Sequence, residues 1–351
     1  MRWDIFCQIV DNFGDAGVCW RLARSLAIRH KQAVRLFCND LPTLNLLVSG
    51  QLPMMGLSIH AWEASHQQIL NNTSAQMSPD VVIEAFGCDL PQSYLTNLII
   101  TNPQAILINL EYLSAEAWVG DYHAKASPQG NGLAKYFFFP GFQANTGGLL
   151  LDPVFPLPAS AEPPPSLLAL WQQLRPAAKR ISIFCYPSAP LQEWLMELAT
   201  LDSEYDVLLA FDHASYLNHS LLLPESIRLH YLPFIPQDDY DWLLSQCDFN
   251  IVRGEDSFVR AQLAAKPFFW NIYPQDDLAH EVKIKAFLDL YLENASPALI
   301  SACWQASKWV SPRVWWLQLP AWEAHAKLWR TKLLKEQADG GLAARLLHFV
   351  E

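Results

Sequence analysis

Two aspartates four residues apart, Asp11 and Asp15, lie in the stretch IVDNFGDAGVCWRLARSLA, Ile9 to Ala27, where an apolar first strand runs into a helix. The end of a strand feeding the start of a helix is where α/β enzymes place their reacting groups. A glycine-rich phosphate loop is the usual occupant of that position, and two carboxylates would repel a phosphate. The pair suits a cation, or a group that must give up a proton. For either residue alone a structural role suffices: Asp15 stands where a helix N-cap would, and Asp11 can close a turn with Asn12 and Gly14. Together, beside a glycine at a strand's carboxyl end, they predict an acceptor-side general base within Asp11, Asn12, Phe13, Gly14 and Asp15.

A second stretch, DFNIVRGEDSFVRAQLAAKPFFWNIYPQ from Asp248 to Gln275, has a different chemistry. It reads as a strand, then Arg253-Gly254, then a helix opening at Glu255, Asp256 and Ser257. Glycine at such a turn lets backbone approach a ligand, and the free N–H groups and positive end of the helix can take a diphosphate. Ser257 can add a hydroxyl and Arg253 a charge. The same three residues, Glu255 to Ser257, also fit a plain N-terminal helix signature. The position, on a late strand of a second domain, favours the ligand.

Other chemistries lack their residues. No G-x-G-x-x-G follows either first strand and no G-x-x-x-x-G-K-[ST] occurs, which argues against dinucleotide redox and P-loop phosphoryl transfer. The ten histidines form no H-x-x-x-H or H-E-x-x-H pattern, and the seven cysteines include no C-x-x-C, so no metal is expected. Odd in number and scattered through apolar runs, the cysteines read as buried thiols of a reducing compartment. A net charge of −11 without a basic run disfavours nucleic acid as a partner. The first residues do not resemble a secretory signal, and no apolar run reaches the ~18 residues of a membrane span. A cytoplasmic protein is expected, with no membrane partner.

The elements that must position these residues follow an alternating pattern. WDIFCQIV, AVRLFCND, LSIHAW, DVVIEAFG and AILINLEYL are strand-like runs, with helix-like segments such as LPQSYLTNLII between some of them. Near-continuous apolar strands alternating with helices predict a parallel sheet. DPVFPLPASAEPPPS then carries six of the 24 prolines and reads as a stiff linker. A second alternation begins at RISIFCYP and continues through YDVLLAFD, IRLHYLPFI, DFNIVRG and PFFWNIYP, with the helical QDDYDWLLSQC between. The tail from Pro320 is helical, with Trp322, Ala326, Trp329 and Leu333 on one face. The expected boundaries are 1–152 for an acceptor-binding Rossmann-like domain, 153–178 for the linker, 179–320 for a nucleotide-sugar domain and 321–351 for a C-terminal helical segment. An enzyme of two Rossmann-like halves facing across a cleft is predicted. Gly147 and Gly148 either line that cleft or form the turn that ends the first domain. The tryptophans at 304, 309, 315, 316, 322 and 329 read as core, with a protein-docking patch as the alternative.

With these blocks in view, the chain resembles the protein-arginine rhamnosyltransferase family that modifies translation elongation factor P. The resemblance rests on IVDNFGDAGVCWRLARSLA, LINLEYLSAEAWV, KYFFFPGF with TGGLLLD, FCYPSAPL and NIVRGEDSFVRAQLAAKPFFWNIYPQ, and it runs almost the whole chain. It departs at Leu151-Asp152, where a basic–acidic pair is expected. The resemblance implies an α/β GT-B architecture whose C-terminal helix packs back toward the N-terminal domain. It implies an inverting, metal-independent enzyme that needs no cofactor and takes rhamnose from dTDP-β-L-rhamnose to an arginine of elongation factor P. Asp15 is then the general base and Asp11 its acidic companion. Arg253, Gly254, Glu255, Asp256, Ser257, Tyr273 and Gln237 belong to the donor site, with Tyr186 and Phe234 flanking the nucleotide. Glu255 has three open roles: bonding rhamnose hydroxyls, shaping the Arg253 turn, or acting on an oxocarbenium-like sugar. The alternative is a GT-B enzyme using another sugar nucleotide or a hydroxyl acceptor.

Overall fold

Among the described residues, eleven strands form two separate sheets, both wholly parallel, in a computed structural model of the 351-residue chain. The structure describes residues 1–9, 13–48, 51–63, 78–151, 162–210, 215, 217, 223–274 and 278–351. Asp11 and Asn12 lie outside them. Two compact units result, one of Met1–Pro156 with Lys335–Glu351, the other of Leu157–Leu334.

The first unit holds β1 (Arg2–Cys7), β2 (Ala33–Cys38), β3 (Leu57–Ala61), β4 (Val81–Ala85), β5 (Ile106–Leu110) and β6 (Ala134–Phe138) in the spatial order β3-β2-β1-β4-β5-β6. The chain goes one way from β1 to β3 and then restarts on the other side of β1. That reversal is the topological switch point outside which open α/β sheets bind ligands. Every residue of β4 is buried, as a strand covered on both faces requires. Register places Phe6 opposite Phe37, whose rings stack at 4.7 Å. The one carboxylate inside β1, Asp4, is met by two Arg35 hydrogen bonds of 2.7 and 2.6 Å and by the Tyr94 hydroxyl at 2.5 Å. A buried charge survives when it is paired and hydrogen-bonded in this way.

The second unit repeats the plan with β7 (Lys179–Ile183), β8 (Tyr205–Leu209), β9 (Ile227–Tyr231), β10 (Phe249–Val252) and β11 (Phe268–Trp270), in the order β11-β10-β7-β8-β9. Its switch point lies between β7 and β10. Each sheet's first strand leads into Ile-Phe-Cys, at Ile5–Cys7 and Ile183–Cys185, because a central strand must be apolar on both faces.

From residue 162 onward the proline-rich stretch belongs to the second unit. Leu167 is fully buried, and Trp171 meets Trp242 at 4.7 Å. The tryptophans between 304 and 329 are core. Trp315, Trp322 and Trp329 are buried, Trp304, Trp309 and Trp316 are half-buried, and Trp315 and Trp322 both pack on Phe249. Trp322, Ala326, Trp329 and Leu333 form the buried face of helix Leu319–Glu336, as the spacing predicts.

The C-terminal segment is two helices. A break at Gly340 and Gly341, with φ of 106° and 70°, separates Leu319–Glu336 from Gly341–Val350. The last helix belongs to the first unit: Leu342 N–H bonds the Leu149 carbonyl at 2.8 Å, and the Phe349 ring meets Tyr136 and Phe138. Gly147 and Gly148 are buried in the turn beneath it. Gly148 has φ 76°, so a larger residue there would be strained, and its Cβ would also displace Gln337 Oε1, 2.7 Å away.

Candidate functional site

In the first unit, helix Phe13–Arg24 leaves the carboxyl end of β1, and Asp15 sits inside its first turn. The helix therefore begins ahead of the position read as an N-cap. An acid in the first turn gains from the helix dipole as a cap would, so composition alone does not separate the two. The Asp15 side chain is buried at 4% exposure, while Phe13 and Gly14 are half-buried. Its charge reaches the thiols beneath it. Cys7 is held well above the ordinary cysteine range, chiefly by its hydrogen bond with Cys19, against an opposing bond with Cys38. Burial and the Asp15 charge add to the rise.

In the second unit, residues from four parts of the chain meet at the carboxyl edge. Arg253 follows β10, is almost fully buried, and donates from Nη1 to the Cys185 carbonyl at 2.9 Å. Its guanidinium lies 4.2 Å over the Phe184 ring and 4.9 Å over the Tyr186 ring. This arginine therefore ties the end of β10 to the end of β7. Tyr186 N–H bonds Asn271 Oδ1 at 2.8 Å, and the Tyr186 ring meets Tyr273 edge-on at 5.2 Å. Tyr273 is 61% exposed, the open wall of the group.

Gly254 has φ 68° and ψ −179°, a conformation open almost only to glycine. It starts helix Glu255–Leu263, and its own carbonyl accepts from Trp270 Nε1 at 3.1 Å. Ser257 donates its hydroxyl to the Arg253 carbonyl, closing the turn. Glu255 and Asp256 are half-buried. Gln237, the first residue of helix Gln237–Gln246, donates from Nε2 to Asp256 Oδ2 at 2.9 Å. One turn further on, Arg260 and Asp241 form an ion pair at 2.9 Å, each side chain 1% exposed. Phe234 is half-buried on the loop between β9 and that helix.

The structure thus gathers Tyr186, Gln237, Arg253, Gly254, Glu255, Asp256, Ser257 and Tyr273. It adds Phe184, Asn271, Asp241 and Arg260, which sequence reasoning missed. Phe184 and Asn271 each stand one residue past a strand of a parallel sheet, and that position was their signal. Asp241 and Arg260 could have been noticed as charges on the core-facing stripes of two helices. A glycine turn, a helix start and a flanking arginine are a combination able to take an anion. The first unit presents a carboxylate.

Comparison with known proteins agrees along nearly the whole chain. A family model described as "Elongation-Factor P (EF-P) rhamnosyltransferase EarP" matches residues 3–351. A protein-arginine rhamnosyltransferase of Pseudomonas putida is 39% identical, over 99% of this chain and 98% of its own. A solved structure concerned with EarP-mediated arginine glycosylation of translation elongation factor EF-P aligns with a TM-score of 0.65 at 30% identity, covering 99% of this chain and 98% of its own. The glycosyltransferase VinC aligns over 100% of this chain and 98% of its own, with a TM-score of 0.51 at 12% identity, a likeness of fold. The fold class is that of the GT-B glycosyltransferases.

Proposed function

The chain belongs to the elongation factor P (EF-P) rhamnosyltransferase family, and from that premise we propose that it moves L-rhamnose from dTDP-β-L-rhamnose to an arginine side chain of EF-P, with inversion and without a metal ion. The observation that carries this reading is a pair of half-sites, each after a strand that borders its own sheet's switch point. One is the buried Asp15 after β1, and the other is the Gly254 turn after β10.

A guanidinium has a pKa above about 12 and no lone pair free to attack. Carboxylates can grip its forked donors, orient one nitrogen and accept its proton. Asp15 takes that proton as the new C–N bond forms and the bond from the anomeric carbon to the β-phosphate oxygen breaks; Asp11 holds the same cation. The charge left on dTDP is met by the first-turn N–H groups of helix Glu255–Leu263, with Arg253, Ser257, Tyr273 and Gln237 around them. Tyr186 and Phe234 flank the nucleotide, and Glu255 faces the sugar. Attack from the side opposite the diphosphate inverts the anomeric carbon. The reaction belongs in the cytoplasm, a reading supported by seven buried cysteines that form no disulfide.

The test is turnover on EF-P with a panel of nucleotide sugars in the presence of a chelator. Expected is gain of one deoxyhexose from dTDP-rhamnose alone, with α configuration by the anomeric proton resonance. Transfer from a different sugar nucleotide, loss of activity with chelator, or a β product would each overturn the corresponding part.

A further inference from the structure

Beside Asp15, the next two strands end in an aromatic pair that the chemistry above does not use. Phe86 immediately follows β4, and Tyr112 stands two residues past β5. Their rings stack at 4.5 Å and 19°. Tyr112 is 40% exposed, and Phe86 is half-buried. Phe86 has φ 58° and is followed by Gly87 at φ 69°. A bulky residue in the left-handed region is a strained choice, and such strain gathers where a side chain must be held in one place. Here the Phe86 N–H continues the sheet ladder to the Leu110 carbonyl at 2.7 Å, which fixes the ring at the sheet's edge.

The register of β1 and β4 sets Phe6 beside Glu84, so Phe86 extends that edge level with Gln8. The Cys88 thiol two residues on bonds the Phe6 carbonyl at 3.4 Å, which fastens the loop against the strand that leads to Asp15. Lys135 of β6 pairs with Glu84 near the end of β4, and the two loops that follow β4 and β5 are acidic. Loops 86–92 and 111–118 carry Asp89, Glu111 and Glu116 and contain no Lys, Arg or His. A stacked pair whose Tyr112 is 40% exposed, on loops that carry acids, suits a planar cation, and among side chains the guanidinium both stacks on rings and pairs with carboxylates.

We propose that the Phe86–Tyr112 stack is the platform on which the acceptor's arginine side chain lies, with its guanidinium turned toward Asp15. The inference rests on the proposed reaction and adds to it what sets the acceptor's affinity. An arginine on a ring face arrives with its stem ordered and its nitrogens pointing along the sheet edge, which lowers the cost of orienting the nucleophile.

Steady-state kinetics of the full chain on EF-P test this with three variants. Tyr112→Leu keeps apolar bulk and removes the ring, Tyr112→Phe keeps the ring, and Phe86→Gly removes a ring while retaining a residue suited to φ 58°. Tyr112→Leu and Phe86→Gly should raise the KM for EF-P about 3- to 30-fold, the range of a cation–π contact. The KM for dTDP-rhamnose should stay within about two-fold of wild type, since the donor contacts are untouched. Tyr112→Phe should recover most of what Tyr112→Leu loses. An unchanged acceptor KM in Tyr112→Leu, or an equal rise in both KM values, would overturn the platform alone. A wild-type protein that transfers no rhamnose would overturn the reaction and the platform with it.

Discussion

Ser257 holds its own turn closed by donating to the Arg253 carbonyl four residues back. Its hydroxyl therefore stabilises the Gly254 turn and stands at the start of the helix proposed to take the diphosphate. Ser257→Ala should cost about 1 kcal/mol of stability and weaken dTDP-rhamnose binding roughly ten-fold, read by chemical denaturation and calorimetry. Binding at wild-type strength would leave the serine a purely structural residue. Arg253 shows what sequence does not carry at this scale. Its charge reads from the chain as free for a ligand, yet the guanidinium is pinned over Phe184 and Tyr186 and on the Cys185 carbonyl. Those partners arrive from the end of β7, and nothing local to Arg253-Gly254 predicts them.

The helices after β9 and β10 act as a pair. Gln237 and Asp241 on one, and Asp256 and Arg260 on the other, make a two-rung ladder with rungs of 2.9 Å each. Residues four apart lie on one helix face, so the rungs fall one turn apart and align both helix starts. Arg260→Met should cost about 3–5 kcal/mol by taking the ion-pair partner from a buried carboxylate. The double variant with Asp241→Leu should regain much of that stability while leaving the two helix starts less firmly aligned. Thermal unfolding separates the cases, and a single variant as stable as wild type would contradict the ladder. Helix QDDYDWLLSQC was legible from its apolar spacing. The ladder was not, because pairing between helices depends on how each is rotated about its axis.

Over the whole molecule, alternating strands and helices were readable since each buried strand must be apolar on both faces. The strand order was not spelled out by that pattern; it follows from right-handed crossovers and the restart beside β1 and β7. The return of the C-terminal helix to the first unit is what the family resemblance implies, whereas the division of that segment into two helices went unread, although Gly340-Gly341 is a break signal. That last helix brings Arg345 near His123, whose Nδ1 accepts from the Phe139 N–H at 3.2 Å. Burial, with the Arg345 charge second, pushes the His123 imidazole down to about 4 from 6.5. The unfolded chain therefore takes up this proton before the folded one does. Stability is whole above about pH 6.5 and falls as pH drops toward about 4, by ~1–2 kcal/mol once partial solvation is allowed for. His123→Asn, which retains an acceptor, should flatten calorimetric stability over that interval; an unaltered slope would contradict this account.

The central claim is that Asp15 deprotonates an arginine while other residues hold the donor. It is tested most directly by intact-mass analysis of EF-P incubated with dTDP-rhamnose and either wild-type protein or Asp15→Asn, alongside donor calorimetry on both. The account predicts one deoxyhexose on an arginine with wild type, transfer reduced at least 10²- to 10⁴-fold in the variant, and donor affinity equal within error. Transfer at the wild-type rate by Asp15→Asn, or a collapse of its donor binding, would contradict it.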